Sequence, residues 1–105
     1  MALAQAEPSS IPTSTGAAKA VGLVLPHLQG KLDGTAIRVP TPNVSLVDFK
    51  FNTTKDISVD LLNQKFEEYS KGYLKGILGV DTDPKVSSDY NHDARSSVLD
   101  LTETT

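Results

Sequence analysis

Residues 58–72, SVDLLNQKFEEYSKG, constrain the fold more than any other stretch of this chain. Ser58 is a residue type that caps a helix N-terminus, because its hydroxyl can accept a bond from a first-turn amide. Val59, Leu62, Phe66 and Tyr69 then recur at helical spacing, with Asp60, Lys65, Glu67 and Glu68 on the remaining surface. Gly72 offers a stop. The spacing predicts a helix from Ser58 to about Ser70. A helix with one apolar stripe must lay it against a neighbour, so the rest of the chain has to supply a layer for it.

The preceding segment predicts a first helix. Ser14 or Thr15 can accept from its first amides, and Ala17, Ala18, Lys19 and Ala20 favour helix. Val21, Val24, Leu25 and Leu28 give it an apolar face, Pro26 ends or kinks it near Leu25, and Gly30 closes the segment. Short strands are expected at 35–39, 44–51, 74–80, 86–90 and 97–101, with turns at 81–84 and 91–95. In 44–51, Val47, Phe49 and Phe51 share one face, and Val44 and Leu46 share the other with Asp48 and Lys50. The order predicts an α+β fold: an antiparallel or mixed sheet, with two helices on one face. The strands at 35–39, 44–51 and 97–101 are expected in one sheet.

Several function classes are excluded by composition. The 105 residues carry net charge −3 without a block of like charges, which argues against a nucleic-acid groove or an anionic membrane surface. No run of about 18 apolar residues is present to span a bilayer. There is no cysteine, hence no thiol nucleophile, disulfide or thiolate metal site. The N-terminal MALAQAEPSS lacks the basic and apolar regions of a signal peptide. Residues 1–9 read as a flexible start, 10–100 as the folded part and 101–105 as a polar tail.

Three residues stand out for anion chemistry. Thr15 and Gly16 open the first helix, where a hydroxyl, an amide and the positive helix end can cradle an anion. A capped helix start with no ligand explains the same residues. Arg38, between Ile37 and Val39, presents a planar fork suited to phosphate, or else pairs with an acid such as Asp48. His27 and His92 read as solvated loop histidines. His92, Asp89 and Asp93 have no recognisable metal-ligand spacing. Asp81, Asp83, Asp89 and Asp93 read as turn formers and do not match a calcium loop. Ser87, Ser88, Ser96 and Ser97 lie outside a G-x-S-x-G setting, and no nucleotide-binding fingerprint occurs.

Four segments together closely resemble the catalytic domain of phosphorylating glyceraldehyde-3-phosphate dehydrogenase: IPTSTGAAKAV at 11–21, IRVPTPNVSLVD at 37–48, YLKGILG at 73–79 and VSSDYN at 86–91. The resemblance covers roughly residues 10–100. It implies that Thr15, Gly16 and Arg38 contact phosphate. It implies a cytoplasmic, glycolytic enzyme that oxidises and phosphorylates an aldehyde with NAD, through a thioester on cysteine. The chain matches only the middle of that domain. The S-C-T-T-N nucleophile segment, the catalytic histidine, the arginine-rich loop, the closing W-Y-D-N-E strand and the dinucleotide domain have no counterpart in it. The chain alone is therefore expected to be inactive, to hold no NAD or metal, and to bind a sugar phosphate or inorganic phosphate weakly. In the family the sheet packs against a second subunit, so a homo-oligomer, or assembly with full-length subunits, is expected. A non-catalytic assembly module and a piece of the related erythrose-4-phosphate dehydrogenase are the alternatives.

Overall fold

A computed structural model describes residues 9–105, so the flexible start expected over residues 1–9 lies, apart from Ser9, outside the described residues. The chain divides into two compact units, Met1–Pro42 and Asn43–Thr105.

In the first unit, strand β1 (Ile11–Ser14) pairs antiparallel with β2 (Thr35–Arg38), Ile11 opposite Arg38 and Ser14 opposite Thr35. Pro12 has no amide to give a ladder, and a strand with one neighbour tolerates it. The connection holds helix α1 (Ala17–Val24) and a 3-10 turn at Pro26–Leu28. Pro26 ends α1 as anticipated: Leu25 is its C-cap, donating its amide to the Val21 carbonyl at 2.8 Å.

The inward side of α1 differs from expectation. Val21, Val24 and Leu25 are exposed; Gly22 is buried, with Ala18 and Leu28 half-buried. A side chain at Gly22 would begin 3.2 Å from the Gln29 Cα. The close approach of the Gln29 backbone selects the small residues of α1 for the inside and turns the aliphatic ones out.

In the second unit, helix α2 (Val59–Lys71) runs between the predicted caps. The Ser58 hydroxyl accepts from the Leu61 amide at 3.1 Å, and Gly72 is the C-cap. Helix α2 packs on strand β3 (Leu78–Asp81). Its half-buried residues are Leu62, Asn63, Phe66, Glu67 and Ser70, while Val59 and Tyr69 are exposed. The inward stripe is thus rotated about one residue from the apolar one. Asn63 explains part of the rotation, since its amide donates to the Leu101 carbonyl at 3.1 Å.

Strand β3 pairs parallel with β4 (Ser97–Asp100), Leu78 opposite Ser97 and Asp81 opposite Asp100. Parallel strands need a long crossover, and residues 82–96 provide it with a 3-10 turn at Ser87–Tyr90. Leu101 opens a last 3-10 turn, Leu101–Glu103, inside the segment read as a polar tail, and is the buried large apolar residue of the described chain.

The α+β class stands: two helices accompany one small antiparallel and one small parallel sheet. The expected common sheet of 35–39, 44–51 and 97–101 does not form. β2 pairs with β1, β4 pairs with β3, and 44–51 has no ladder partner among the described residues. The strand expected at 86–90 is a 3-10 turn, because Asp89 accepts the Val86 amide at 2.8 Å and holds the chain curled. The strand expected at 74–80 begins only at Leu78. Before it the chain turns back, with the Leu74 amide on the Tyr69 carbonyl and Gly76 at φ 80°. No helix among the described residues is long and apolar enough to cross a membrane.

Candidate anion site and the charged cluster of the second unit

Strand β1 delivers Thr15 directly to the start of α1. Thr15 is half-buried, and its Oγ1 accepts the Ala17 amide at 3.2 Å. Gly16 is the N-cap residue itself, at φ −88° and ψ 2°. Having no side chain, it leaves the capping to the residue before it. The Thr15 hydroxyl still has its proton to donate. Ala20 donates to the Gly16 carbonyl at 2.9 Å, which starts the helical ladder and leaves the Ala18 and Lys19 amides without an intrahelical partner at the helix's positive end.

Arg38 ends β2 opposite Ile11. Residues directly opposite in an antiparallel pair project to the same face, as do residues two apart along a strand. Arg38 therefore shares its face with Thr13 and Ala36, both half-buried. Thr15 follows Thr13 by two positions, past the strand end. Arg38 and Thr15 are four positions apart along the ladder, about 13 Å at ~3.3 Å per residue. The Arg38 side chain makes no hydrogen bond or ion pair among the described residues. Asp48, considered from sequence as its partner, lies in the second unit and is bound to Lys50. Thr15, Gly16 and Arg38 are thus brought into one unit on linked elements, with donor capacity unspent.

The other residues considered for chemistry have local occupations. His27 lies in the 3-10 turn after α1, and His92 occupies the left-handed region at φ 66° in the turn before β4. Asp89 holds the Val86 amide, and Asp93 holds Arg95. Among the described residues no three histidines or carboxylates gather as a metal group requires.

A polar cluster on the second unit was not foreseen. The Asp81 carboxylate, only 11% exposed, takes the Lys85 ammonium and the Tyr90 hydroxyl, the latter at 3.3 Å, and accepts the Asp83 amide at 3.0 Å. The Lys85 ammonium is the main reason its pKa falls, with the Asp83 amide next. Burial, then the Asp81 charge, pushes the Tyr90 phenol up. Beside it the Arg95 guanidinium grips Asp93, Nε lying 2.9 Å from Oδ1, and holds that carboxyl at about 2. Arg95 reaches this position by lying over Gly79 of β3, where a Cβ would sit 2.1 Å from Nη1. Opposite charges at Asp81 and Lys85, and at Asp93 and Arg95, were visible in the sequence. The glycine seat for Arg95, sixteen positions upstream, was not.

This chain matches the family described as glyceraldehyde 3-phosphate dehydrogenase, C-terminal domain, over residues 3–105. The match extends past residues 10–100 on both sides. The chain is 59% identical over 96 residues to a glyceraldehyde-3-phosphate dehydrogenase of Cereibacter sphaeroides, covering 91% of the chain and 29% of that relative. It is 56% identical to that of Xanthobacter flavus over the same shares, and 56% identical to that of Priestia megaterium over 90% of the chain and 28% of the relative. It spans under a third of the length of these curated relatives.

Proposed function

The chain belongs to the glyceraldehyde 3-phosphate dehydrogenase C-terminal domain family, and on that premise we propose that Thr15, Gly16 and Arg38 are its phosphate contacts. It is a segment of the catalytic domain of an NAD-dependent, cytoplasmic, glycolytic enzyme that oxidises and phosphorylates an aldehyde. The observation that carries this reading is the unspent Arg38 guanidinium, placed on the strand that pairs with the one leading into Thr15 and Gly16. A planar fork and a hydroxyl at a helix start suit the tetrahedral oxygens of a phosphate monoester or inorganic phosphate.

The residues do not fit the dinucleotide. β1 enters α1 through Thr15 and Gly16 alone, and β1 and β2 are antiparallel, without the Gly-rich turn of a parallel βαβ unit. We therefore assign NAD to the rest of the enzyme. The 105 residues contain no cysteine, so a thiol nucleophile cannot come from them and the segment alone has no turnover.

Two measurements test this. Purified chain with glyceraldehyde 3-phosphate, NAD and phosphate should form no NADH; formation by protein free of host enzyme would falsify the inactivity. Phosphate titration followed by NMR should shift the amides of Thr15, Gly16 and Ala17, and Arg38→Ala should suppress the shifts. Shifts confined to the second unit would remove the assignment.

A second reading, a non-catalytic assembly module that joins copies of itself or full-length subunits, is favoured by one observation. Leu46, Val47, Phe49 and Phe51 are all exposed in a segment without a ladder partner among the described residues.

A further inference from the structure

Asp33 is the one aspartate or asparagine in the chain that is followed by glycine. The pair lies in the connection between the 3-10 turn and β2. There Leu32, Asp33 and Gly34 have no regular secondary structure, and their amides donate to no backbone carbonyl among the described residues. Asp33 and Gly34 are both exposed. The Gly34 amide donates instead to the side chain before it, its nitrogen 2.8 Å from Asp33 Oδ1. Oδ1 is bonded to Cγ, so the nitrogen lies beside the carboxyl carbon. A bond from that nitrogen to Cγ would close a five-membered ring through Asp33 C, Cα and Cβ. Two groups already held side by side have little left to lose in meeting. Two further features favour closure. Gly34 has no Cβ to crowd its nitrogen, and no atom beyond its chain neighbours lies within 4 Å of where one would sit, so the peptide has room to turn. The Asp33 carboxyl is held by no ion pair among the described residues, whereas Asp48, Asp81 and Asp93 bind Lys50, Lys85 and Arg95.

We propose that Asp33–Gly34 is a site of spontaneous backbone modification, at which aspartate converts to isoaspartate through a cyclic imide. The step balances without a co-reactant. The Gly34 nitrogen bonds to Asp33 Cγ and gives up its proton, the Cγ–OH bond of the neutral carboxyl breaks, and proton and hydroxyl leave as one water. Addition of one water reopens the ring. Breaking the bond from nitrogen to Cγ restores aspartate. Breaking the bond from nitrogen to the original main-chain carbonyl carbon leaves the chain running through Cβ and Cγ, with the α-carboxylate free. The backbone is then longer by one methylene, directly ahead of β2. Thr35, the first residue of that strand, faces Ser14 at the end of the β1–β2 ladder. An extra backbone atom breaks the register of a ladder unless the strand bulges, so this end should open first. The determinants are Asp33, Gly34 and the bond between them, and the site stands whether or not Thr15, Gly16 and Arg38 bind phosphate.

The test ages the full 105-residue chain at neutral pH and samples it over weeks. Each sample is digested with an endoproteinase that cuts before aspartate and not before isoaspartate. Cleavage before Asp33 should fall with time, while cleavage before Asp56 and Asp60 holds. Hydroxylamine, which opens cyclic imides and splits the chain there, should cut aged protein between Asp33 and Gly34. Gly34→Ala meets open space and a backbone outside the left-handed region, so it should keep the fold. Its methyl crowds the attacking nitrogen, and the loss of cleavage should slow by about tenfold. Asp33→Glu keeps the charge but requires a six-membered ring, and its hydroxylamine fragments should disappear. In the aged fraction the amides of Ser14 and Thr35 should exchange hydrogen faster than those of Thr13 and Ala36. Cleavage before Asp33 that keeps pace with Asp56, a loss as fast in Gly34→Ala as in the unmodified chain, or hydroxylamine fragments that map to another aspartate would each overturn the proposal.

Discussion

The seat of Arg95 on Gly79 makes a prediction whose magnitudes nearly cancel, so that stability alone cannot reveal it. A Cβ built on Gly79 would lie 2.1 Å from the Arg95 Nη1 and 2.5 Å from Cζ. In Gly79→Ala one of the two must move. The guanidinium is the far end of a flexible side chain, 37% exposed, and swings out more cheaply than β3 shifts. It then leaves Asp93, which it holds through Nε at 2.9 Å and through Nη2. A partly exposed pair of this kind contributes about 1 kcal/mol or less. Against that loss, alanine restricts the unfolded chain and stabilises by about 0.4–1 kcal/mol. The net change should be under about 1 kcal/mol. The Asp93 carboxyl is the sensitive reporter. It now titrates at about 2, chiefly because Arg95 binds it, and should rise part-way toward 3.8; the Arg95 backbone amide, which also lowers it, stays in place. A depressed carboxyl adds stability that is present above its unfolded pKa and is lost as pH falls through its folded value. The unmodified chain should therefore lose stability between about pH 4 and pH 2, and Gly79→Ala should lose less over that window. Carboxyl carbon NMR gives the pKa, and thermal melts at pH 2, 3 and 4 give the stability. An Asp93 value still near 2 in the variant, or a loss above about 3 kcal/mol of the kind that overpacking against backbone produces, would refute the reasoning.

Three further outcomes are expected. Ser58→Ala removes the acceptor of the Leu61 amide and should destabilise α2 by about 1 kcal/mol, read from thermal melts at 222 nm, with Ser58→Gly recovering most of it. Leu101→Ala should cost about 2 kcal/mol, the low end for a buried leucine because its surroundings are half open and can close in. Hydrogen exchange should quicken in β3 and at Asn63, and unchanged protection there would mean that Leu101 holds nothing together. Lys85→Met should raise the Asp81 pKa more than Tyr90→Phe does, because the ammonium is the largest cause of its depression and the phenol the smallest; the reverse order in a carboxyl titration would count against it.

How much of this was legible depended on how local each determinant is. Helix α2 was readable because Ser58, the apolar spacing and Gly72 lie within one short window, and the capping bond appears where the sequence put it. Its inward side was read one residue off, because Asn63 and Ser70 face inward through hydrogen bonds that hydrophobic spacing does not register. Helix α1 was readable in extent from Pro26, but its inner face was not. Packing there is set by how closely Gln29 comes to Gly22, and a contact across a turn overrides the aliphatic pattern.

The strands show the same division more sharply. Class survives errors of pairing, because class needs only that extended segments exist, whereas pairing needs to know which ones meet. β2 was foreseen, but its partner β1 was not, since Pro12, Thr13, Ser14 and Thr15 are residue types of turns and caps and what defines a strand is its neighbour. The missing strand also hid how Thr15 lies relative to Arg38. As a loop, 12–15 has no fixed relation to Arg38; as a strand, it places Ile11 against Arg38 and carries the hydroxyl of Thr15 along the same ladder to the helix start. The residue types of the candidate site were legible from family resemblance and from their donor chemistry. Their geometric relation required the β1–β2 register, which no short window of the sequence contains.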